Sequence, residues 1–452
     1  MVCYQTASRN HYGGLLAHAI GEIEDRFVRE VDQRDLFEGA MDGMVRKLDP
    51  YSGYISPKEL AAFDEELGQE FGGIGIVVEV NRESKRLTVL SPLPDTPAYA
   101  AGMRAGDQIL AIDGKSTEGF QIFDAVDLMR GEPGSKLIVT VLHAGDEEPI
   151  DMELERAIIP VASVLGDVRN PDGTWQFQLE RDPDIGYVRL ASFGDKTAEE
   201  LHETLTVLRP KIKGLILDLR GNGGGLLDKT VEICDRFIGE GKKIVSIRGR
   251  DPNAWKDYVA TDEATTVDPD LPIVIMIDGF SASAAEIMAA CLQDHDRAKV
   301  VGSRSWGKGT VQTVMHFEGG RSRLKLTVAT YWRPNGKNIH RHVDATPEEA
   351  WGVSPNEGYE VEVDEETLTK IVLLRRERDK VKIEKEPPAD AAIEEADSGE
   401  GIGGDGEEDD ATSDDETSKL PDITGFEDPQ LKRAIEAIRE AIDGPIERAN
   451  AA

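Results

Sequence analysis

Three short segments carry residue types from which covalent catalysis is built. The first is Asp278-Gly-Phe-Ser-Ala-Ser-Ala-Ala-Glu-Ile, where an apolar strand runs into small residues and then a helix. Small neighbours leave a serine exposed at such a turn. The helix N-terminus beyond it offers free N–H groups and positive potential to a developing oxyanion. The plain structural alternative is an N-cap serine before a tightly packed helix. The second segment, Gly302-Ser-Arg-Ser-Trp-Gly-Lys-Gly-Thr-Val-Gln, sets Lys308 between two glycines at a turn entering a strand. Alternation places Lys308, Thr310 and Gln312 on one face. A desolvated lysine falls toward neutrality and accepts a proton, and Gln312 can hold the amine by hydrogen bonding. A solvated surface lysine is the ordinary alternative. The third segment, Leu217-Asp-Leu-Arg-Gly-Asn-Gly-Gly-Gly-Leu-Leu-Asp, is again strand, glycine turn and helix. Its N–H groups at Gly223 or Gly224 suit an oxyanion hole completed by Ala284.

Two nucleotide readings compete. Gly302, Gly307 and Lys308 nearly spell a P-loop after the strand Ala298–Val301. It fails at Gly309, where Ser or Thr must bind Mg²⁺, and Thr-Val-Gln-Thr-Val-Met then prefers strand where a P-loop opens a helix. Around Gly221 and Gly223 a dinucleotide fingerprint lacks its third glycine, and the next strand ends Ser246-Ile-Arg-Gly without the required acid.

The elements that must position these residues are legible from periodicity. From about Tyr12 to Leu67 the spacing is helical, with a second run over Leu36–Leu48 that stops at Asp49-Pro50. Short alternating strands with one helix, Ile122–Met129, fill Phe71 to about Ala157 and make a small β-rich module. From Ile185 to about Val363, β-branched apolar runs alternate with helices at Ala198–Leu208, Leu226–Ile238 and Ala284–Leu292. That rhythm predicts an α/β domain whose sheet is buried on both faces, with antiparallel strands at Thr310–Met315 and Leu324–Thr330. Pro387 to Ser418 is Asp/Glu/Gly/Ser-rich and is expected to be disordered. An amphipathic helix, Pro429–Ile442, follows.

The chain has 452 residues, 87 acidic against 52 basic, for a net charge of −35. It is too long for one ordinary core and should divide into two or three domains. Such a charge makes nucleic acid and anionic membrane surfaces poor partners. No apolar run reaches the roughly 20 residues of a membrane span. The N-terminus shows no basic-then-apolar export signal. Cys3, Cys234 and Cys291 have unrelated spacings that give neither a metal pattern nor a disulfide framework; Cys234 and Cys291 are expected as buried small hydrophobes.

Taken in order, the segments Asp218-Leu-Arg-Gly-Asn-x-Gly-Gly, Ser281-Ala-Ser-Ala-Ala-Glu-Ile, Leu292-Gln-Asp-x-x-Arg-Ala and Gly307-Lys-Gly-Thr-Val-Gln resemble the carboxyl-terminal processing peptidases, the S41 family of Ser–Lys serine proteases. The likeness extends to Leu48-Asp-Pro-Tyr-Ser-x-Tyr and to Phe71-Gly-Gly-Ile-Gly-Ile. It implies Ser283 as nucleophile, Lys308 as base, Gln312 as its orienting partner and Ser281 as structural. It implies an α/β fold (α+β overall), with a crotonase-like core at 158–382, an N-terminal helical region at 1–70 and an inserted PDZ domain at 71–157. An acidic linker at 383–420 and a C-terminal helix at 421–452 complete the expected order.

In a PDZ domain a glycine loop captures a terminal carboxylate; here that loop would be Phe71, Gly72, Gly73, Ile74, Gly75 and Ile76. The chain departs from the family at Gly223, where proline is usual, so the oxyanion loop should be less preorganised. The resemblance implies acyl transfer that needs no metal or cofactor. Its partners would be protein or peptide substrates with free C-termini, beside a second copy of the chain or an activating adaptor protein. The family works mainly in the periplasm, cell envelope or thylakoid lumen, so a periplasmic or envelope location is expected. A catalytically silent PDZ adaptor is the rival, but it would need no serine–lysine pair.

Overall fold

A computed structural model describes residues 11–81, 84–261, 267–346, 348–381 and 421–450. The acidic stretch 383–420 lies, except at its ends, outside the described residues, as does Cys3.

The N-terminal periodicity resolves into α1 (His11–Arg26) and α2 (Gln33–Val45). Asp32 caps α2 by accepting the Arg34 N–H at 2.7 Å. The continuous helical reading to Leu67 is corrected at Asp49. Its Oδ1 accepts the N–H groups of Tyr51 and Ser52 at 2.7 and 2.8 Å, an Asx turn that diverts the chain. The diverted chain forms β1 (Gly53–Ile55), and α3 (Leu60–Gly68) follows.

Next come β2 (Glu70–Gly73), β3 (Ile76–Val80), β4 (Leu87–Pro92), β5 (Gln108–Ile112), α4 (Ile122–Met129), β6 (Lys136–Leu142), β7 (Ile150–Glu155) and β8 (Ala157–Pro160). Strands β3-β4-β5-β6-β7 pair antiparallel in that order, and β2 pairs with β8. Alternate residues of these strands, among them Leu87, Val89, Ile109, Ile112, Leu137, Val139 and Val141, close a core with Ala125 and Met129 of α4.

The α/β part holds two sheets. In chain order its elements are β9 (Val164–Leu165), β10 (Asp182–Leu190), α5 (Thr197–Leu208), β11 (Gly214–Asp218), α6 (Leu227–Asp235), β12 (Lys243–Gly249), β13 (Lys256–Val259), β14 (Ile273–Ile277), α7 (Ala284–Asp294), β15 (Lys299–Gly302), β16 (Thr310–Phe317), β17 (Ser322–Trp332), α8 (Glu365–Asp379) and α9 (Pro429–Asn450). Strands β10-β11-β14-β15 run parallel, as the continuous apolar runs predict. The second sheet is antiparallel in the order β1-β17-β12-β13, with β16 also on β17.

Period-two alternation divides the parallel sheet between two cores. Leu215, Leu217, Ile275 and Val300 pack with α5, α6 and α7, where Cys234 and Cys291 are indeed buried. Ile216, Val274, Met276 and Val301 face Leu431, Ala434, Ala437 and Ile438 of α9. Each such buried aliphatic contributes roughly 1.5–3 kcal/mol. Contact is so close that a Cβ on Gly214 would lie 2.4 Å from Ile438. The C-terminal helix therefore covers one face of the sheet whose strand ends carry the candidate chemistry.

Candidate active site

Strands β11 and β14 are neighbours in register, so the turns that leave their C-terminal ends lie side by side. Asp278 laces them: its Oδ1 accepts the N–H groups of Gly221, Phe280 and Ser281, each at 3.0 Å. Ser281 is fully buried, and its hydroxyl donates to Leu219 O at 2.8 Å and accepts the Asp278 N–H at 3.0 Å. That hydroxyl serves the turn.

Ser283 stands at the N-terminus of α7 with φ 57 and ψ −114, outside the regions open to an unstrained non-glycine residue. It is 7% exposed. A Cβ on Gly224 would lie 2.7 Å from the Ser283 Cβ, so glycine is what allows this loop to approach, and its φ of +105 also favours glycine. Tyr331 is buried beside Ser283; burial raises its phenol and Ser283 pulls the other way.

Among the three expected oxyanion donors one is corrected. The Gly224 N–H already donates to Asn222 Oδ1 at 2.8 Å, so in this arrangement Gly224 gives close approach and no free donor. The N–H groups of Gly223 and Ala284 make no hydrogen bond among the described residues. Asn222, fully buried, holds the loop: its Nδ2 donates to Leu190 O at 2.7 Å and its carbonyl accepts the Ala282 N–H at 2.9 Å.

Lys308 lies just before β16, half-buried. Burial lowers its pKa, Lys325 lowers it further, and Glu286 opposes both. Its Nζ sits 5.2 Å from the centre of the Tyr51 ring, a contact that favours the ammonium form. No hydrogen bond joins Lys308 Nζ to Ser283 Oγ or to Gln312 among the described residues. Gln312 shares its side with Thr310, as alternation predicts. Its Nε2 donates to the hydroxyls of Thr310 and Thr327 at 2.9 and 3.1 Å. The orienting bond to Lys308 is thus not made here; Gln312 instead joins a chain through Thr327 to Asp49, which accepts at 3.2 Å.

The residue that unites the site is one to which the sequence reading assigned no role. Glu286, on the first turn of α7, is 0% exposed. Its Oε2 accepts the backbone N–H groups of Ser283 and Lys308 at 2.8 Å each. Its Oε1 accepts the Ser305 hydroxyl at 2.6 Å and the Gly307 N–H at 2.7 Å. Burial pushes this carboxyl up to about 7 against those four bonds. A glutamate three residues after a helix-capping serine was the available signal. Tyr51 was the other omission; the Asp49 turn carries it to Lys308.

The proposed terminal-carboxylate loop is partly committed to packing. Phe71, Gly72 and Gly73 belong to β2 and face β8, while a Cβ on Gly72 would lie 2.2 Å from Gly131 O. Ile74 is buried, Gly75 turns with φ +78 against Thr96, and Ile76 opens β3.

Comparison with known proteins gives three family matches. Peptidase family S41 matches residues 184–357. A PDZ domain matches 88–142, beginning after the 71–76 loop. The activating protease CtpB N-terminal domain matches 14–59. The chain is 36% identical over 387 residues to the carboxy-terminal-processing protease of Bartonella bacilliformis, covering 83% of this chain and 85% of that one. It is 35% identical over 328 residues to the carboxy-terminal processing protease CtpA of Bacillus subtilis, covering 72% of this chain and 66% of that one. Among solved structures, a photosystem II D1 C-terminal processing protease aligns at 28% identity and a TM-score of 0.42, over 77% of this chain and 92% of that chain.

Proposed function

The chain belongs to peptidase family S41, the serine peptidases that include carboxy-terminal processing proteases, and on that premise we propose a Ser–Lys endopeptidase with Ser283 as nucleophile and Lys308 as general base. The observation that carries the assignment is the shared carboxylate: Glu286 holds the backbones of both residues on one oxygen. No other hydroxyl–amine pair in the site is tied in this way.

In the proposed reaction, Lys308 in its neutral form takes the Ser283 proton as Oγ attacks the peptide carbonyl carbon. The carbonyl oxygen becomes an oxyanion facing the Gly223 and Ala284 N–H groups and the N-terminus of α7. The C–N bond then breaks, and Lys308 returns the proton to the leaving amine. Water, deprotonated by the same amine, hydrolyses the ester. Contact with the Tyr51 face holds Lys308 as a cation away from Ser283, so the described arrangement is a resting one. Entry of a peptide between them completes desolvation of the amine and brings it to Ser283; Gln312, released from Thr310, is the acceptor placed to orient it.

We further read the core as crotonase-like, and the PDZ domain as a reader of free substrate C-termini, with β3 as the edge strand on which a peptide adds. A second copy of the chain or an adaptor is the proposed activator, and the periplasm or envelope the proposed location. No helix of the described residues is long and apolar enough to cross a membrane. The test is mass spectrometry of products from an unstructured protein. Wild type should give internal cleavage fragments and a folded Ser283→Ala protein none; equal fragments from both would refute the nucleophile assignment.

A further inference from the structure

Beneath the oxyanion loop lies a buried charge cluster that the reaction itself does not use. Arg220 immediately precedes the loop, and its side chain is 7% exposed. On one side it grips Asp218, with Nη2 to Oδ2 at 2.7 Å and Nε to Oδ1 at 3.0 Å. Asp218 also accepts the Tyr187 hydroxyl at 2.5 Å, and Arg375 stands 3.8 Å away. On the other side Arg220 Nη1 meets the C-terminal helix. It lies 2.9 Å from Asp428 Oδ2 and donates to Gln430 Oε1 at 3.0 Å. Asp428, whose side chain is 2% exposed, spends its other oxygen capping α9 through the N–H groups of Gln430 and Leu431. Gln430 Nε2 donates to Val361 O at 2.9 Å, which fixes the amide.

We propose that Asp428 is a positioning residue for the reaction: it pins Arg220, and through Arg220 the Gly221–Gly224 turn, so that α9 is part of the oxyanion machinery as well as a cover for the sheet. The physical chain is continuous. A buried guanidinium needs acceptors in several directions, and removal of one charge leaves it free to shift or hydrate. Arg220 is bonded along the chain to Gly221, whose N–H must meet Asp278, and the next residue, Asn222, receives the Ala282 N–H. A displacement at Arg220 thus reaches the donor at Gly223 without any contact between Asp428 and substrate. The required residue comes from the far end of the chain, beyond the acidic stretch, and no local motif announces it.

The inference rests on the reading of Ser283 as nucleophile with Gly223 and Ala284 as donors. Its test compares wild type with Asp428→Asn, Gln430→Leu and Lys432→Ala. Asparagine still caps α9 but carries no charge; Gln430→Leu removes the second acceptor of the same Arg220 nitrogen; Lys432 is exposed on α9 and serves as control. For each, kcat and KM on an unstructured peptide are measured with melting temperature. The inhibition constant of a peptidyl boronic acid, whose tetrahedral adduct places an oxygen in the oxyanion hole, is measured as well. Asp428→Asn should lose about tenfold in kcat, less than the full effect of deleting one donor, with a similar loss of boronate affinity and little change in KM. Lys432→Ala should match wild type. If Asp428→Asn does not fold, Gln430→Leu is read instead and should show the same split. Wild-type kcat and boronate affinity in a folded variant, or a loss confined to KM, would overturn the inference alone. A wild-type protein inert to both peptide and boronate would overturn the reading of Ser283 as well.

Discussion

Ser283 and Lys308 donate their backbone N–H groups to the same oxygen, Oε2 of Glu286, at 2.8 Å each. The nucleophile at the head of a helix and the base at the mouth of a strand are thereby held in one frame, though their reactive atoms do not touch. Glu286→Gln should remove most of the activity. A glutamine offers one acceptor oxygen for three N–H donors and a hydroxyl, so at least one buried donor is orphaned at about 1–3 kcal/mol. The check is kcat on an unstructured substrate together with melting temperature. Near wild-type turnover in a folded variant would show that the shared carboxylate does not organise the site.

The same group sets a pH dependence of stability. Its folded pKa is about 7 against an ordinary 4.5, so between these values the folded state binds a proton that the unfolded state has released. Stability from this group is therefore full below about pH 4.5 and is lost as pH rises through about 7, by about 3 kcal/mol in total. Chemical denaturation from pH 4.5 to 8 should show a falling component that Glu286→Gln abolishes. An unchanged slope in the variant would assign the titration elsewhere.

Gly223 offers a separation of donor from flexibility. A Cβ there meets nothing within 4 Å and its φ is not in the left-handed region, so alanine fits and keeps the N–H. Proline removes the N–H. With Gly223 as an oxyanion donor, Gly223→Ala should stay within a few-fold of wild type. Gly223→Pro should lose roughly 10²-fold or more in kcat. Equal activity of the two would pass the donor role to Gly224, whose N–H would have to leave Asn222.

Blocking the substrate's terminus tests the PDZ reading. Strand β3 pairs only with β4 in its sheet and leaves an edge for a peptide. An amidated C-terminus presents no charge and one acceptor fewer, so cleavage should weaken, chiefly through KM. Equal cleavage of free and amidated peptides would mean that the domain does not read the carboxylate.

What was legible in the sequence follows range of contact. The strand–turn–helix around Ser283 and the glycine turn after Leu217 are written in consecutive residues, so the exposed serine and its loop could be found locally. The parallel sheet was legible from apolar runs alone. Glu286 was visible as a residue and invisible as a hub, because Ser305, Gly307 and Lys308 reach it only when β15 lies beside β14. Tyr51 meets Lys308 only because an Asx turn at Asp49 interrupts an otherwise helical period. Likewise α9 reads as a free amphipathic helix until its apolar stripe finds Ile216, Val274 and Met276. Local chemistry marks these residues; only tertiary pairing gives them partners.

The central claim is that Lys308 accepts the proton of Ser283, and Lys308→Arg tests it most directly. Arginine keeps the charge and approximate reach, but its pKa above roughly 12 prevents proton acceptance near neutrality. General-base assistance is worth roughly 10²–10⁴-fold, so a lysine acting only as a positive charge near the oxyanion should survive the exchange with a partial loss, and a base should not. Hydrolysis of an unstructured substrate is measured from pH 6 to 10 for wild type, Lys308→Arg and Lys308→Ala, with folding checked by melting temperature. Burial lowers the Lys308 pKa, so wild-type activity should rise with pH and level off below the range of a free lysine. Both variants should be inactive throughout. A folded Lys308→Arg protein that keeps a tenth or more of wild-type activity would contradict Lys308 as the base.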